Sequence, residues 1–395
     1  MMKADLVFFD AGGGHRAAAE ALRLVMEQQG GWELRPVNLQ EVLDPIDVVR
    51  KMTGLRMQDL YNLMLKKGWT LGTPQTVRVL QFAIRVLHSP MARLLREFWS
   101  SSEADVVVSL VPHFNRALAQ SLQQARSHVP LVTILTDLAD YPPHFWIEPQ
   151  DQFLVCGSER AVAQARTMGI RDSKIFHASG MILHPRFYQH GNGDRREERR
   201  KRGLDPDLPT GLVLFGGQGS DAMLEIAERL DAEGPHHLQL IFICGRNQKL
   251  ADRLRRRNRR LLTFVEGFTD QVPFYMLLSD FFIGKPGPGS VSEAIAMRLP
   301  VIVERNAWTL PQERYNAEWV QEKQVGLVVS GPHQIPSAIR VLLKRGNLAR
   351  FRANAAAIHN RAVYEIPGFL RKVVEGSTAD PHLLAPERLL SAQRA

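Results

Sequence analysis

The chain has 395 residues, 45% of them hydrophobic, which is too long for one ordinary core and sets two domains as the expectation. Its two cysteines, Cys156 and Cys244, each lie in an apolar run; they exclude a disulfide framework and a cysteine-built metal centre, and read as buried thiols in a reducing compartment. The formal net charge of +9 favours polyanionic partners, but no base-stacking module or recognition motif accompanies it, so a nucleic-acid-binding protein is disfavoured.

No apolar run approaches the roughly 20 residues needed to span a bilayer. The first run, Leu6 to Phe9, ends on Asp10 and does not read as a signal peptide. A cytoplasmic protein, peripheral on the membrane at most, is the expectation.

Taken in order, short apolar runs alternate with helical segments, the pattern of stacked βαβ units and parallel sheets. Strands are expected at Asp5–Phe9, Asp105–Leu110, Leu131–Leu135, Gln152–Cys156 and Lys174–His177, with a helical stretch from about Met57 to Phe98. The first strand runs into Gly12, Gly13 and Gly14 and then a helix opening near His15, with Ala18, Ala21, Leu22 and Val25 at helical spacing. Bare glycine amides at a helix N-terminus make a seat for an anion or a polar substrate group; a plain tight turn is the equal alternative. The turn lacks both the lysine of a P-loop and the spacing of the dinucleotide fingerprint.

Residues 191–209, "GNGDRREERRKRGLDPDLP", are polar and turn-rich and read as a linker carrying one charged helix. This run and "RLRRRNRR" at Arg253 to Arg260 are the two basic concentrations. Each is either a solvated helix face or an anionic-surface patch. The alternation then restarts, with strands at Leu212–Phe215, Leu238–Cys244, Leu262–Val265, Asp280–Gly284, Val301–Glu304 and Gly326–Val329. The expected organisation is an N-terminal domain at 1–190, a C-terminal domain at 210–365 and a tail at 366–395, helical and returning to the first domain. The two lobes would face each other across a cleft.

Two further glycine turns follow strands in the second half. "LVLFGGQGS" presents Gly216, Gly217, Gln218 and Gly219, and "GKPGPGSVSEA" presents Lys285, Gly287, Gly289 and Ser290 before a helix. Ser290 and Glu293 have capping-box spacing, so Glu293 either returns to the Ser290 amide or accepts hydrogen bonds from a ribose beside a diphosphate.

Together these motifs resemble the monogalactosyldiacylglycerol synthases and bacterial diacylglycerol glucosyltransferases, relatives of the peptidoglycan lipid N-acetylglucosaminyltransferase. The resemblance runs from about Val7 to Leu343. It is carried by "GGGHRAAAEA", "LVPHFNRAL", "VTILTDLADYPPHFW", "SGMILHPRF", "GKPGPGSVSEAIAMRLPVIV" and "PQERYNAEWV". It implies an α/β GT-B fold of two Rossmann-like doubly wound domains. It implies inverting transfer of galactose or glucose from UDP-galactose or UDP-glucose to diacylglycerol or a similar membrane lipid, with no bound cofactor or catalytic metal, on the cytoplasmic membrane face.

Carried over by position, His15 looks like the base and Asp137 a partner orienting it or the acceptor hydroxyl, unless Asp137 is a helix cap. Gly13, Gly14, Gly217, Gln218, Gly287, Gly289 and Ser290 would face the diphosphate. Phe268 would lie at the uracil, Lys285 and Glu293 at the nucleotide, and Gln312, Glu313 and Asn316 at the sugar. Phe145 and Trp146 are interfacial anchors or domain core. Pro311 and Trp308 depart from the family pattern beside the Gln-Glu pair, as does "DYPPHF" on the acceptor side. These departures bear on the sugar and the acceptor, not on the nucleotide site. The rival readings are transfer to another lipid-linked or small acceptor, and a non-catalytic protein that binds UDP or lipid on the same fold.

Overall fold

A computed structural model describes residues 1–10, 13–46, 81–82, 84–189, 194–233, 237–256 and 260–376. Gly12, the stretch 57–80 of the expected helix, and the tail beyond 376 lie outside the described residues. The chain divides into two compact units. The described residues up to His184 and those from Asn360 on form the first, and Pro185 to His359 form the second.

The first unit is built on a parallel sheet of six strands: β1 (Met2–Phe8), β2 (Trp32–Asn38), β3 (Val106–Ser109), β4 (Leu131–Ile134), β5 (Phe153–Cys156) and β6 (Ile175–His177). Their spatial order is β2-β1-β3-β4-β5-β6. Five of these are the expected apolar runs, and β3 and β4 are buried along their whole length, as strands covered on both faces must be. Strand β2 was not expected. It pairs only with β1, and its sequence WELRPVN is mostly open, with Trp32 and Val37 alone buried, as suits an edge strand.

Helix α1 (Gly14–Gln29) follows β1 and buries Ala18, Ala19, Leu22 and Met26 on one face of the sheet. Helices α2 (Leu39–Leu43), α3 (His88–Ser100) and α4 (Asn115–Ala125) cover the other face with Leu39, Leu43, Leu95, Trp99, Leu118 and Leu122. Helix α5 (Glu159–Thr167) closes the β5 end of the sheet over Ala161 and Ala165.

The second unit repeats the design with β7 (Thr210–Leu214), β8 (Gln239–Ile243), β9 (Thr263–Glu266), β10 (Phe281–Gly284), β11 (Val301–Glu304) and β12 (Gly326–Val329). All are parallel, in the order β12-β11-β10-β7-β8-β9. Helix α6 (Arg195–Lys201) precedes them, α7 (Ala222–Ala232), α8 (Gln248–Arg256), α9 (Val272–Leu277), α10 (Pro288–Ala296) and α11 (Arg314–Glu322) run between them, and α12 (Ile335–Leu343) and α13 (Asn347–Ala356) follow. In both units a neighbour of the first strand reverses the direction of winding, which in open α/β sheets puts ligand sites beyond the carboxyl ends of the central strands.

The basic run on α6 is divided: Arg196, Arg200 and Lys201 are exposed as on a solvated face, whereas Arg195 and Arg199 turn to a buried carboxylate. Arg199 is 4% exposed and, with Arg195 and Arg352, donates to the Asp280 carboxylate at 2.8, 2.8 and 3.1 Å. Burial alone would raise the Asp280 carboxyl; Arg195 and Arg199 outweigh it and hold the group below its ordinary value. Arg202 pairs with Glu198 and lies over the Phe274 ring at 4.6 Å. Arg195, Arg199 and Arg202 thus serve the second unit as an internal clamp. In the other basic run Arg253 pairs with Asp221 and Arg255 with Asp252, and residues 257–259 lie outside the described residues.

The chain ends its described course in the first unit. Helix α14 (Ala362–Val374) lays Ile366, Phe369, Leu370 and Val373 into the core that α1 shares, with Phe369 stacked on Phe176 at 4.6 Å.

Candidate functional site

In the first unit the glycine turn does what its sequence requires. Gly13 has φ +84, a left-handed conformation that costs an L side chain about 1 kcal/mol or more, and its carbonyl accepts from Ala17 to start α1. Gly13 and Gly14 are both exposed, with nothing within 4 Å of where a Cβ would stand. His15 sits in the first turn. Its Nδ1 meets the Thr136 hydroxyl at 2.9 Å, just past the end of β4, and the imidazole also bonds the Leu110 carbonyl beyond β3.

Burial lowers the His15 pKa to about 4, against the smaller opposing effect of the Leu110 carbonyl. The ring is therefore neutral at pH 7. One nitrogen carries the proton and the other a lone pair, the form a general base needs.

Asp137 caps no helix, since no helix follows it. Its Oδ2 accepts the indole N–H of Trp146 at 2.8 Å. His15 is thus held by the Thr136 hydroxyl and the Leu110 carbonyl, while Asp137, the next residue after Thr136, positions the Trp146 ring, whose centroid stands 5.9 Å from that of His15. Asp140 adds to this mount by accepting the backbone amides of Trp146 and His144.

Trp146 is 0% exposed and Phe145 7%, in one cluster with Ile147, Leu154 and Cys156. Buried in this way, they do not anchor the chain in a headgroup layer, contrary to that expectation. The "FWI" segment folds inward because Asp140 and Asp137 hold its amide and indole, so these rings are domain core. Both cysteines are buried free thiols, and burial pushes Cys156 up to about 12 and Cys244 up to about 11.

In the second unit the two glycine turns and the "PQE" segment come together around one lysine. Lys285 follows β10, and its Nζ donates to Glu313 Oε1 at 2.8 Å. A Cβ on Gly216 or Gly287 would stand 3.5 or 3.6 Å from the Lys285 Cε, so both turns border this cation. Gly216, with φ +73, and Gly219, with φ +61, fold the first turn. Gly217 points outward with open space around it, and its carbonyl is held by the Arg246 amide at 2.9 Å. Gln218 lies in the same turn, and α7 begins only at Ala222.

Helix α10 begins three residues earlier than a Ser290 cap requires. Gly287 is the N-cap, Pro288 occupies the first helical position, and no side chain caps the helix. The capping-box alternative is thereby overturned: Ser290 is inside the helix. Glu293, one turn on, is half-buried, and burial raises its carboxyl to about 7 against the pull of Arg186. No group among the described residues hydrogen-bonds it.

Asn316 is fully buried, donates to the Pro286 carbonyl at 2.8 Å and leaves its Oδ1 unpartnered; Gln312 Oε1 is likewise buried and unpartnered. Phe268 is 64% exposed, with the Arg246 guanidinium 4.9 Å from its ring centre. Thr136, Arg246 and His113 had not been singled out in the sequence. Thr136 adjoins Asp137, but nothing in the spacing says which of the two faces a histidine 121 positions away.

Residues 15–180 match the model for monogalactosyldiacylglycerol (MGDG) synthase, and residues 211–362 match the model for the glycosyltransferase family 28 C-terminal domain. Relatives include a chloroplastic monogalactosyldiacylglycerol synthase of Spinacia oleracea, 27% identical over 85% of this chain and 65% of that protein. Another is monogalactosyldiacylglycerol synthase 1 of Arabidopsis thaliana, 28% identical over 85% and 64%. The chain thus spans a little less than two thirds of these relatives' lengths.

Among solved structures it is similar to MurG of Acinetobacter baumannii, with TM-score 0.60 and 14% identity over 94% of this chain and all of that one. It is also similar to Anabaena Alr3699/HepE in complex with UDP and glucose, with TM-score 0.54 and 14% identity over 95% and all of that chain. These likenesses establish the GT-B fold. Sequence and fold together make the chain similar to glycosyltransferases of family 28 and monogalactosyldiacylglycerol synthase type, the first over residues 211–362 and the second over residues 15–180.

Proposed function

We propose that the protein is an inverting hexosyltransferase that moves galactose or glucose from a UDP-sugar to diacylglycerol or a similar membrane lipid. The observation that carries the reading is Glu293. A half-buried carboxylate with no hydrogen-bond partner is costly unless a ligand supplies donors. It stands one turn into a helix whose first amides no side chain caps, where a diphosphate would be seated and ribose hydroxyls would reach the carboxylate. The relatives named above as monogalactosyldiacylglycerol synthases support the acceptor, and the neighbour solved with UDP and glucose supports the donor.

In this reading His15 removes the proton of the acceptor hydroxyl. That oxygen bonds to the anomeric carbon from the face opposite UDP, the bond from that carbon to the diphosphate breaks, and UDP leaves with the electron pair. The amides of Gly287, Gly289 and Ser290, with the turn at Gly217 and Gln218, take up charge on the departing diphosphate. Preorganised donors of this kind are usually a large catalytic contribution. Lys285, fixed by Glu313, adds a cation beside both turns. Gln312, Asn316 and Glu313 face the sugar, where buried oxygens without donors are suited to hydroxyl groups. Gly13 and Gly14 contribute bare amides at His15, and Phe268 with Arg246 covers the uracil.

Catalysis takes place on the cytoplasmic face of a membrane, to which the protein binds peripherally through anionic lipid. No helix among the described residues is long and apolar enough to cross one. Flotation with liposomes should show binding that strengthens with anionic lipid content; binding indifferent to lipid charge contradicts the surface reading. The transfer itself is tested by incubating the protein with UDP-galactose, UDP-glucose or UDP-N-acetylglucosamine and dioctanoylglycerol, with the product identified by mass.

A further inference from the structure

One histidine of the first unit is held at a cost that its packing does not explain. The Phe114 amide bonds the Pro112 carbonyl at 2.9 Å, an i to i+2 bond that puts His113 at the centre of a γ-turn. With φ +69 this is the rare left-handed form, which strains any residue with a side chain. The turn is fastened from both sides. The His113 amide donates to the Phe145 carbonyl at 2.7 Å. Asn115 is buried, takes the Ser109 hydroxyl at 2.6 Å, and donates to the carbonyls of Val111 and Trp146 at 3.1 and 3.3 Å.

The result is an imidazole set edge-on to Phe145, with ring centres 4.1 Å apart and Nδ1 buried without a partner. It lies close enough to His15 for the charge of one ring to depress the ionisation of the other. With burial as the larger cause, the His113 pKa falls to about 4. A buried polar nitrogen left unpaired costs free energy until something bonds it. Here it is left unpaired beside the proposed base, on a backbone that glycine would adopt without strain.

We infer that His113 is a second acceptor-binding imidazole, which hydrogen-bonds the oxygen next to the hydroxyl that His15 activates. Its ligand is an acceptor with oxygens on adjacent carbons, as in an acylated glycerol, where the neighbouring oxygen is an ester or a second hydroxyl. This rests on the proposed transfer to a lipid acceptor and adds how that acceptor is chosen. Two neutral imidazoles side by side hold a 1,2-dioxygenated head in one orientation, whereas a simple long-chain alcohol engages only His15.

The test uses the full chain with His113→Gly and His113→Asn. Glycine relieves the backbone while removing the ring, so its Tm should stay within about 3 °C of the parent. Asparagine tolerates the left-handed backbone and places an amide near the position of Nδ1. KM and kcat are measured for dioctanoylglycerol and for dodecanol, together with the KM for donor. The expected result for His113→Gly is at least a tenfold higher KM for dioctanoylglycerol, with dodecanol and donor KM unchanged and kcat within about threefold. Asparagine should restore part of the loss.

Equal losses on both acceptors, or no loss on either, overturn the inference. If the parent protein transfers sugar to neither acceptor, the proposed function fails and the inference is read separately, from the His113 ring resonances in the presence of dioctanoylglycerol. A shift at His113 that His113→Gly abolishes sustains it, and no shift overturns it.

Discussion

Burial disfavours the charged form of both Glu293 and His15, so it moves their pKa values in opposite directions, and each gives a separable prediction. The Glu293 carboxyl is raised from the usual 4.5 to about 7 in the folded chain. As pH rises the unfolded chain loses this proton first, so the folded state loses stability between about pH 4.5 and 7 and does not regain it above. Glu293→Gln should therefore raise Tm at pH 8 and leave it unchanged near pH 4. The same change should raise the donor KM about tenfold or more and abolish a rise in donor kcat/KM through pH 7. A donor KM that stays normal removes Glu293 from the nucleotide.

His15→Ala should lower kcat by roughly 10²–10⁴-fold with UDP affinity unchanged, the range for a lost general base. Because the free-enzyme pKa of His15 is about 4, the acid limb that it causes should fall near pH 4 and not near 6.5. His15, Glu293 and Lys285 stand out in the sequence because each lies in or just after a glycine turn that follows a buried strand, but the roles expected of them came from the family resemblance and not from the turns. His113 was not, since its meaning lies in a strained turn and an unpaired nitrogen that only the folded chain creates. Phe145 and Trp146 were ambiguous as bare aromatic residues; the carboxylates of Asp137 and Asp140 decided them.

At the scale of elements, the strand-to-helix turns carry the site, and their glycines differ in what they tolerate. Gly245 has φ +57, and a Cβ there would stand 2.3 Å from the Gly217 carbonyl oxygen. Gly245→Ala should push the Gly216–Gly219 turn out of place, lowering both Tm and UDP affinity. Gly217 has open space around it, so Gly217→Ala should leave Tm nearly unchanged and weaken UDP alone by covering the approach to the turn. Calorimetric unfolding with UDP titration separates the two; equal effects on Tm would show that the Gly217 turn is structural only.

Eleven strands were legible as near-continuous apolar runs, because a strand covered on both faces has no polar side to show. Edge strand β2, half open and carrying Pro36, lacked that signal. The start of α10 was misplaced by three residues because Pro288 can open a helix without a side-chain cap, a choice that the Ser290–Glu293 spacing concealed.

For the whole molecule, the order of elements along the chain is not the order of units. The chain leaves the second unit after His359, and α14 supplies Ile366, Phe369, Leu370 and Val373 to the first. Burying four such side chains contributes on the order of 6–12 kcal/mol before entropy, comparable with the whole stability of a domain. A chain ending at His359 should therefore lose the unfolding transition of the first unit, including the His15 site, while the second unit still binds UDP. A calorimetric trace with both transitions intact would contradict that division.

The two halves of the proposed reaction are likewise carried on separate units, a base on one and a nucleotide seat on the other, so the account stands or falls on transfer. The most direct measurement is product mass after incubation of the parent protein and His15→Ala with UDP-hexoses and dioctanoylglycerol. The account predicts hexosyl-dioctanoylglycerol from UDP-galactose or UDP-glucose with the parent chain and almost none with the variant. A folded, UDP-binding parent that yields no glycolipid, or a variant that yields as much, would contradict it.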